Sequence, residues 1–165
     1  QTGAERAVCE RIEQVAPEVT ALVPVRVIEE KRKKQWQLFD KTLLPGYVFL
    51  FSENPLPDNL IRSITKAYKV LAYDRGLRDL QHEDRAYALW LYRHQGRIEA
   101  SVILESGQTI KVVDGPLKDM TGEIKRLDKR KRKVWVAFDF DGEARLVALS
   151  AHVVTQATQT DEHSD

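Results

Sequence analysis

Residues 107–124 read GQTIKVVDGPLKDMTGEI, and the punctuation of this stretch decides the architecture of the C-terminal part of the chain. Thr109 to Val113 is a β-branched run of strand length, closed by the tight-turn tripeptide Asp114-Gly115-Pro116. A second strand is expected from Gly122 to Leu127, where Gly122 would permit the close backbone approach needed at a bend. Further on, Val134 to Asp139 carries Val134, Val136 and Phe138 at period two, and Ala144 to Leu149 has the same texture. Asp141-Gly142 between these two runs is a strong hairpin signal. Four short strands divided by glycine and charged turns predict a small, strongly bent β-barrel over residues 107–154, with a polar tail at 155–165.

Upstream the texture changes to alternating helices and strands. Residues 4–16 place Val8, Ile12 and Val15 on one stripe of a helix that Pro17 stops. Thr20 to Ile28 is expected as a strand with Pro24 at an edge or bulge, and the charged segment Glu29 to Lys34 as a loop. Residues 43–51 predict a strand with Tyr47, Phe49 and Phe51 on one face and Val48 and Leu50 on the other. A helix opening at Pro57 would bury Leu60, Ile61 and Ile64, and Tyr68 to Tyr73 would return as a strand. A third helix is expected over 82–94, with Tyr87, Trp90, Leu91 and His94 at helical spacing and its end near Gly96. The expected class is α+β: an N-terminal domain over 1–98, a short linker over 99–106, and the barrel.

Several functions are disfavoured by composition. Hydrophobic residues are 42% and charged residues 31% of 165, an ordinary globular mixture. The longest apolar stretch, Leu43 to Phe51, is broken by Pro45-Gly46 and is far shorter than the roughly 20 residues of a membrane helix. No signal peptide is visible, and a single cysteine, Cys9, allows no intramolecular disulfide, so a cytoplasmic protein is expected. His82, His94, His152 and His163 are scattered without metal-ligand spacing, and residues 115–122 lack the Gly-Lys-Ser/Thr ending of a phosphate loop. Neither an enzyme nor a cofactor is expected. Two features remain. The apolar corner around Pro45-Gly46 reads either as core strand or as a docking patch. The run Lys125, Arg126, Lys129, Arg130, Lys131, Arg132, Lys133 reads either as a solvated hairpin loop or as a phosphate-binding site, with Trp135 close enough to add a stacking surface.

The 107–124 stretch closely resembles the KOW motif, and LLPGYVFL at 43–50 resembles the segment typical of NusG N-terminal domains. TGAER, LVPVRVIEEKRKK, LLPGYVFL, LIRSITKAYKVLAY and the KOW segment follow in NusG-like order, so the resemblance covers residues 2–154. It implies an α/β sandwich on an antiparallel sheet, a linker and a five-stranded SH3-like barrel whose motif rests on Gly107, Gly115 and Gly122; the family's first strand would precede Gln1. A short link, the segment RAYALWLYRHQGRIEAS and the basic run resemble the LoaP branch of specialised antitermination paralogues.

By this resemblance Leu44, Pro45, Gly46 and Tyr47 would meet the clamp helices of RNA polymerase, and Asp58 and Asn59 its gate loop. Arg11 and Lys66 match positions near non-template DNA, with plain surface charge an equally open reading. Relatives use the turn matching Phe140-Asp141-Gly142-Glu143 to contact ribosomal protein S10 or Rho, but acids stand there in this chain. The basic run would instead hold nascent RNA, in the form of a leader hairpin, and the protein would act as a monomer away from membranes. Two other readings stay open: a housekeeping factor coupled to Rho or S10, and a KOW-containing ribosome-associated RNA-binding protein.

Overall fold

The computed structural model describes residues 3–65 and 68–155. Helix α1 (Glu5–Val15) is followed by β1 (Thr20–Leu22), β2 (Val25–Arg32), β3 (Gln35–Thr42), β4 (Phe49–Phe51), α2 (Asp58–Thr65), α3 (His82–Arg93) and β5 (Arg97–Ile98). The β-rich half comprises β6 (Ser101–Ser106), β7 (Thr109–Asp114), β8 (Glu123–Asp128), β9 (Lys133–Phe140) and β10 (Glu143–Thr155). The strands form three sheets of order β1-β4, β3-β2-β5 and β7-β6-β10-β9-β8. The mixed α+β class expected from the sequence is what the chain adopts.

The N-terminal half departs from the sequence reading in five places. Pro24, fully buried, splits the strand expected over 20–28; its carbonyl accepts a hydrogen bond from the Leu43 amide at 2.9 Å. The segment 29–34 is no loop. It completes β2 and turns into β3 through Lys33 and Lys34, whose φ values of 50° and 64° make the two-residue hairpin turn normally marked by Asn or Gly. Because lysines fill that turn, the sequence carried no hairpin signal there. Residues 68–73 form no strand; Tyr73 lies in extended chain and donates its hydroxyl proton to Asp84. Val15, expected on the buried stripe of α1, is 48% exposed, since Ile12, Val8 and Cys9 already fill that face. The strand at the apolar corner is also shorter than expected, β4 covering only Phe49–Phe51. Its two faces do separate as read: Tyr47, Phe49 and Phe51 pack against one apolar cluster, Val48 and Leu50 against the other.

In the second half the expected linker is corrected. Residues 101–106 form β6, which lies inside the five-stranded sheet, antiparallel to β7 and parallel to the end of β10. β10 pairs with β9 over 143–150 and then with β6 over 151–155, so this one strand bends from one side of the sheet to the other. Gly115 takes φ 92°, and a Cβ there would stand 2.6 Å from the Cα of Ser101 on β6; at Gly122 it would stand 2.9 Å from the Ala137 carbonyl. Both glycines therefore permit the close approaches that bend the sheet. Gly107, φ 61°, makes the β6–β7 turn, and Asp141-Gly142, with φ 54° and 71°, makes the β9–β10 turn. Of the expected polar tail over 155–165, Thr155 instead ends β10, paired with Glu105, and residues 156–165 lie outside the described residues.

One apolar cluster joins the halves. Leu43, Leu44, Phe49, Tyr87, Trp90 and Leu91 from the first half pack with Ile103, Leu117, Val134, Val136, Phe138, Phe140 and Leu149 from the second. Val134, Val136 and Phe138 point inward at period two, as their spacing predicts. The indole of Trp90 donates to the Pro116 carbonyl at 2.8 Å in a fully buried bond between the halves.

Candidate functional site

The apolar corner is braced from below. Gly46 has φ 87°, a conformation few side chains accept, and the Glu5 carboxylate accepts hydrogen bonds from the amides of Gly46 (2.8 Å) and Gly3 (2.7 Å). These amide bonds, its own N–H first and that of Gly46 next, hold the Glu5 carboxyl below the usual carboxylate range. Pro45 and Gly46 are exposed. Leu44 is not: at 3% exposure it is a core residue, because the chain dives inward before the Pro-Gly turn. As an expected surface anchor Leu44 is therefore corrected.

Tyr47 is half-buried against the β9–β10 turn. Its hydroxyl donates to Asp141 Oδ2 at 2.8 Å and accepts from Arg145 Nη2 at 3.4 Å, and its ring meets Phe140 edge-on with centroids 5.4 Å apart. Burial, and next the Asp141 carboxylate, push the Tyr47 phenol up. Phe140 also packs on Phe49 (5.3 Å) and Tyr87 (5.4 Å). The Asp141 amide donates to Asp84 Oδ1 at 3.0 Å. Of the acids that set this turn apart in the sequence, Asp141 thus docks it on the N-terminal half, while Glu143 pairs with Arg145 within the barrel. Asp58 and Asn59 are exposed in the first turn of α2, and Arg11 is exposed on α1. Lys66 lies outside the described residues.

The basic run does not fan outward as a whole. Lys125 pairs with Glu123 (3.0 Å), and the Arg126 guanidinium lies 5.4 Å from the centre of the Trp135 ring. Lys129 reaches Glu105 at 2.6 Å. Arg132 instead turns to the N-terminal half, where it meets Glu29 at 2.7 Å and lies 4.0 Å over the Trp36 ring. Lys133, mostly buried, approaches Glu30 at 3.9 Å. Only Arg130 and Lys131 in the run are exposed without an ion pair or cation–π partner among the described residues. Glu29 also accepts from His152 at 2.7 Å; burial acts to raise its carboxyl, but the bonds from Arg132 and His152 outweigh it and leave the group below the usual range. The Lys31–Lys34 tip was missed as part of a site because its segment, 29–34, reads as loop, and Trp36 because the sequence reading places no element over 35–42.

No helix among the described residues is long and apolar enough to cross a membrane, and no group of three or more His, Cys, Asp or Glu there could hold a metal ion.

No family model matches the chain. Individual proteins do. The chain is 22% identical over 142 residues to the transcription termination/antitermination protein NusG of Helicobacter pylori, covering 81% of each chain. It is 28% identical to NusG of Vibrio cholerae, over 78% of this chain and 72% of the relative. Against NusG of Xylella fastidiosa the identity is 30% over 129 residues, 70% of this chain and 69% of the relative. The chain belongs to the NusG family. These relatives are named as transcription termination/antitermination proteins. The α/β N-terminal half and the β-rich KOW half described above fit the NusG plan.

Proposed function

We propose that this NusG-family chain is a transcription factor of the LoaP type, which binds RNA polymerase through its N-terminal half and promotes processive antitermination while its KOW barrel holds nascent RNA. In this reading the polymerase-binding domain ends near residue 98 and the RNA-binding barrel starts at β6. The observation that carries it is the coexistence of two different surfaces on one family member: an exposed Pro45-Gly46 corner held rigid by Glu5, and a hairpin turn with unpaired Arg130 and Lys131. The corner, with Tyr47, meets the polymerase clamp helices; Asp58 and Asn59 face the gate loop. Bridging the two favours the closed polymerase, because a ligand that binds one state better shifts the population toward it. Arg11 has the exposure for a contact with non-template DNA. Contact with Rho or S10 through the β9–β10 turn is disfavoured, since Asp141 is engaged by Tyr47 and Asp84.

The docked β9–β10 turn half-covers Tyr47, so full use of the clamp-binding face requires this contact to open. The test is single-round transcription on a template carrying a leader RNA hairpin and a downstream terminator. Readthrough should rise with the protein and the intact leader together. Equal readthrough without the leader would reduce the assignment to a general elongation factor, and no change in either case would overturn it.

A further inference from the structure

Two hairpin turns that are 96 residues apart in sequence, Lys33-Lys34 and Lys129–Arg132, lie side by side. They are joined by the stack of Arg132 on Trp36 at 4.0 Å, the Arg132–Glu29 ion pair at 2.7 Å, and the approach of Lys133 to Glu30 at 3.9 Å. Each tip is strongly basic: Lys31, Arg32, Lys33 and Lys34 on β2–β3, Lys129, Arg130, Lys131 and Arg132 on β8–β9. The acids between them, Glu29 and Glu30, are already taken by Arg132, His152, Lys41 and Arg32. Among the described residues Lys31, Lys33, Lys34, Arg130 and Lys131 are exposed and make no ion pair. Five uncompensated cations on two adjacent turns repel one another at a cost to the docked state, and that cost is relieved by a polyanion lying across both.

We infer that the two turns form one composite RNA-binding surface, in which the β2–β3 tip of the N-terminal half and the β8–β9 tip of the barrel grip the same RNA. The inference rests on the RNA-binding reading above and extends it to residues outside the KOW domain. The Arg132–Trp36 stack marks the middle of the surface. Its guanidinium is fixed from below by Glu29 and the side chain remains 40% exposed, so it offers a planar donor face to an unpaired base, while lysines on either side meet phosphates. Such an arrangement suits a hairpin RNA whose loop bases are splayed and whose stem presents two phosphate rows. The carboxylates Glu29 and Glu30 keep the interior of the surface neutral and leave the charge at its rims.

The test uses the full chain and an RNA hairpin with a single-stranded loop, titrated at several salt concentrations. Lys33→Asn combined with Lys34→Gly removes two charges while giving the turn the Asn-Gly pair that suits its positive φ angles, so weaker binding is not ascribable to unfolding. If each lysine contacts one phosphate, the logarithmic salt slope should become shallower by about 1.4, and affinity at 0.15 M salt should fall about tenfold. Arg130→Ala with Lys131→Ala should have a similar effect, and the slope changes should add when the four substitutions are combined. If only the β8–β9 variant weakens binding, RNA recognition by the barrel stands and the composite surface is wrong. Unchanged binding in both variants would overturn the composite surface and the RNA-binding reading together. A DNA duplex of the same stem sequence serves as a control; equal or tighter binding to it would show a general polyanion surface and overturn the RNA assignment.

Discussion

Phe140→Ala should release the barrel from the N-terminal half. The ring is 1% exposed and lies within 5.3 to 5.4 Å, centroid to centroid, of Phe49, Tyr47 and Tyr87, all from the other half. Truncating a buried phenylalanine typically costs about 3–5 kcal/mol, transfer and cavity terms together. The barrel's own core residues, Val134, Val136, Ile103 and Leu149, are untouched by the change, so most of this loss should fall on docking. Trp90 reports the event directly in a chain whose other tryptophans, Trp36 and Trp135, are replaced by phenylalanine. It is buried and bonded to the Pro116 carbonyl across the interface, so its fluorescence should shift to the red as the halves part. In urea, this single-tryptophan parent should show one cooperative transition and its Phe140→Ala variant an earlier Trp90 transition preceding loss of β structure. There is a functional counterpart. If polymerase binds the Tyr47 face only when the turn has lifted, weakening docking raises the competent fraction, and each 1.4 kcal/mol is worth about tenfold in apparent affinity until the open form dominates. A variant that loses less than about 1 kcal/mol, or that unfolds in one step with an unshifted Trp90 signal, would refute the docking argument.

Other perturbations separate its parts. Tyr47→Asp also frees the turn, by removing the phenol that bonds Asp141 and the ring that packs on Phe140, yet it destroys the apolar contact; polymerase binding in a pulldown should therefore fall where Phe140→Ala raises it, by several kcal/mol as an order of magnitude. Gly115→Ala forces a Cβ to 2.6 Å from the Ser101 backbone at φ 92° and should cost at least about 2 kcal/mol in urea unfolding, whereas Gly142→Ala, with open space around it, should cost about 1 kcal/mol for its positive φ alone. Glu5 and Glu29 titrate below their ordinary range when folded, so their stabilisation is fully present above the unfolded glutamate value of about 4.3 and is lost as pH falls through the folded values. The urea midpoint should hold between about pH 7 and pH 5 and drop towards pH 3; Glu29→Gln should flatten part of that drop, and an unchanged profile would argue against the Arg132–Glu29–His152 cluster.

The barrel was largely legible because its turns use residues with special backbone freedom. Asp114-Gly115 and Asp141-Gly142 announce themselves, and period-two burial in β9 follows from Val134, Val136 and Phe138. The β2–β3 hairpin was illegible for the opposite reason: Lys33 and Lys34 adopt left-handed conformations that lysine seldom supplies, and Leu38, 68% exposed, blurs the alternation of β3. β6 was hidden by its position at a texture change, and its pairing with residues 151–155 is non-local and leaves no short-range mark. Of the site residues, Pro45, Gly46, Asp58 and Asn59 are exposed as expected, while Leu44 was misplaced because an apolar run does not say which member dives inward. Arg132 looked like one more solvated cation; only the fold brings Trp36 and Glu29 to it.

Only Glu99 and Ala100 stand between β5, hydrogen-bonded to β2, and β6, embedded in the barrel sheet. Two extended residues span about 7 Å, so the halves have no tether on which to drift apart. Any parting of Tyr47 from Asp141 is a rotation about this hinge, with the barrel swinging like a door rather than floating on a leash. The local concentration of each half around the other therefore stays high after opening. Reclosure competes directly with whatever has bound the uncovered face, and lengthening the hinge with glycine and serine would slow that return.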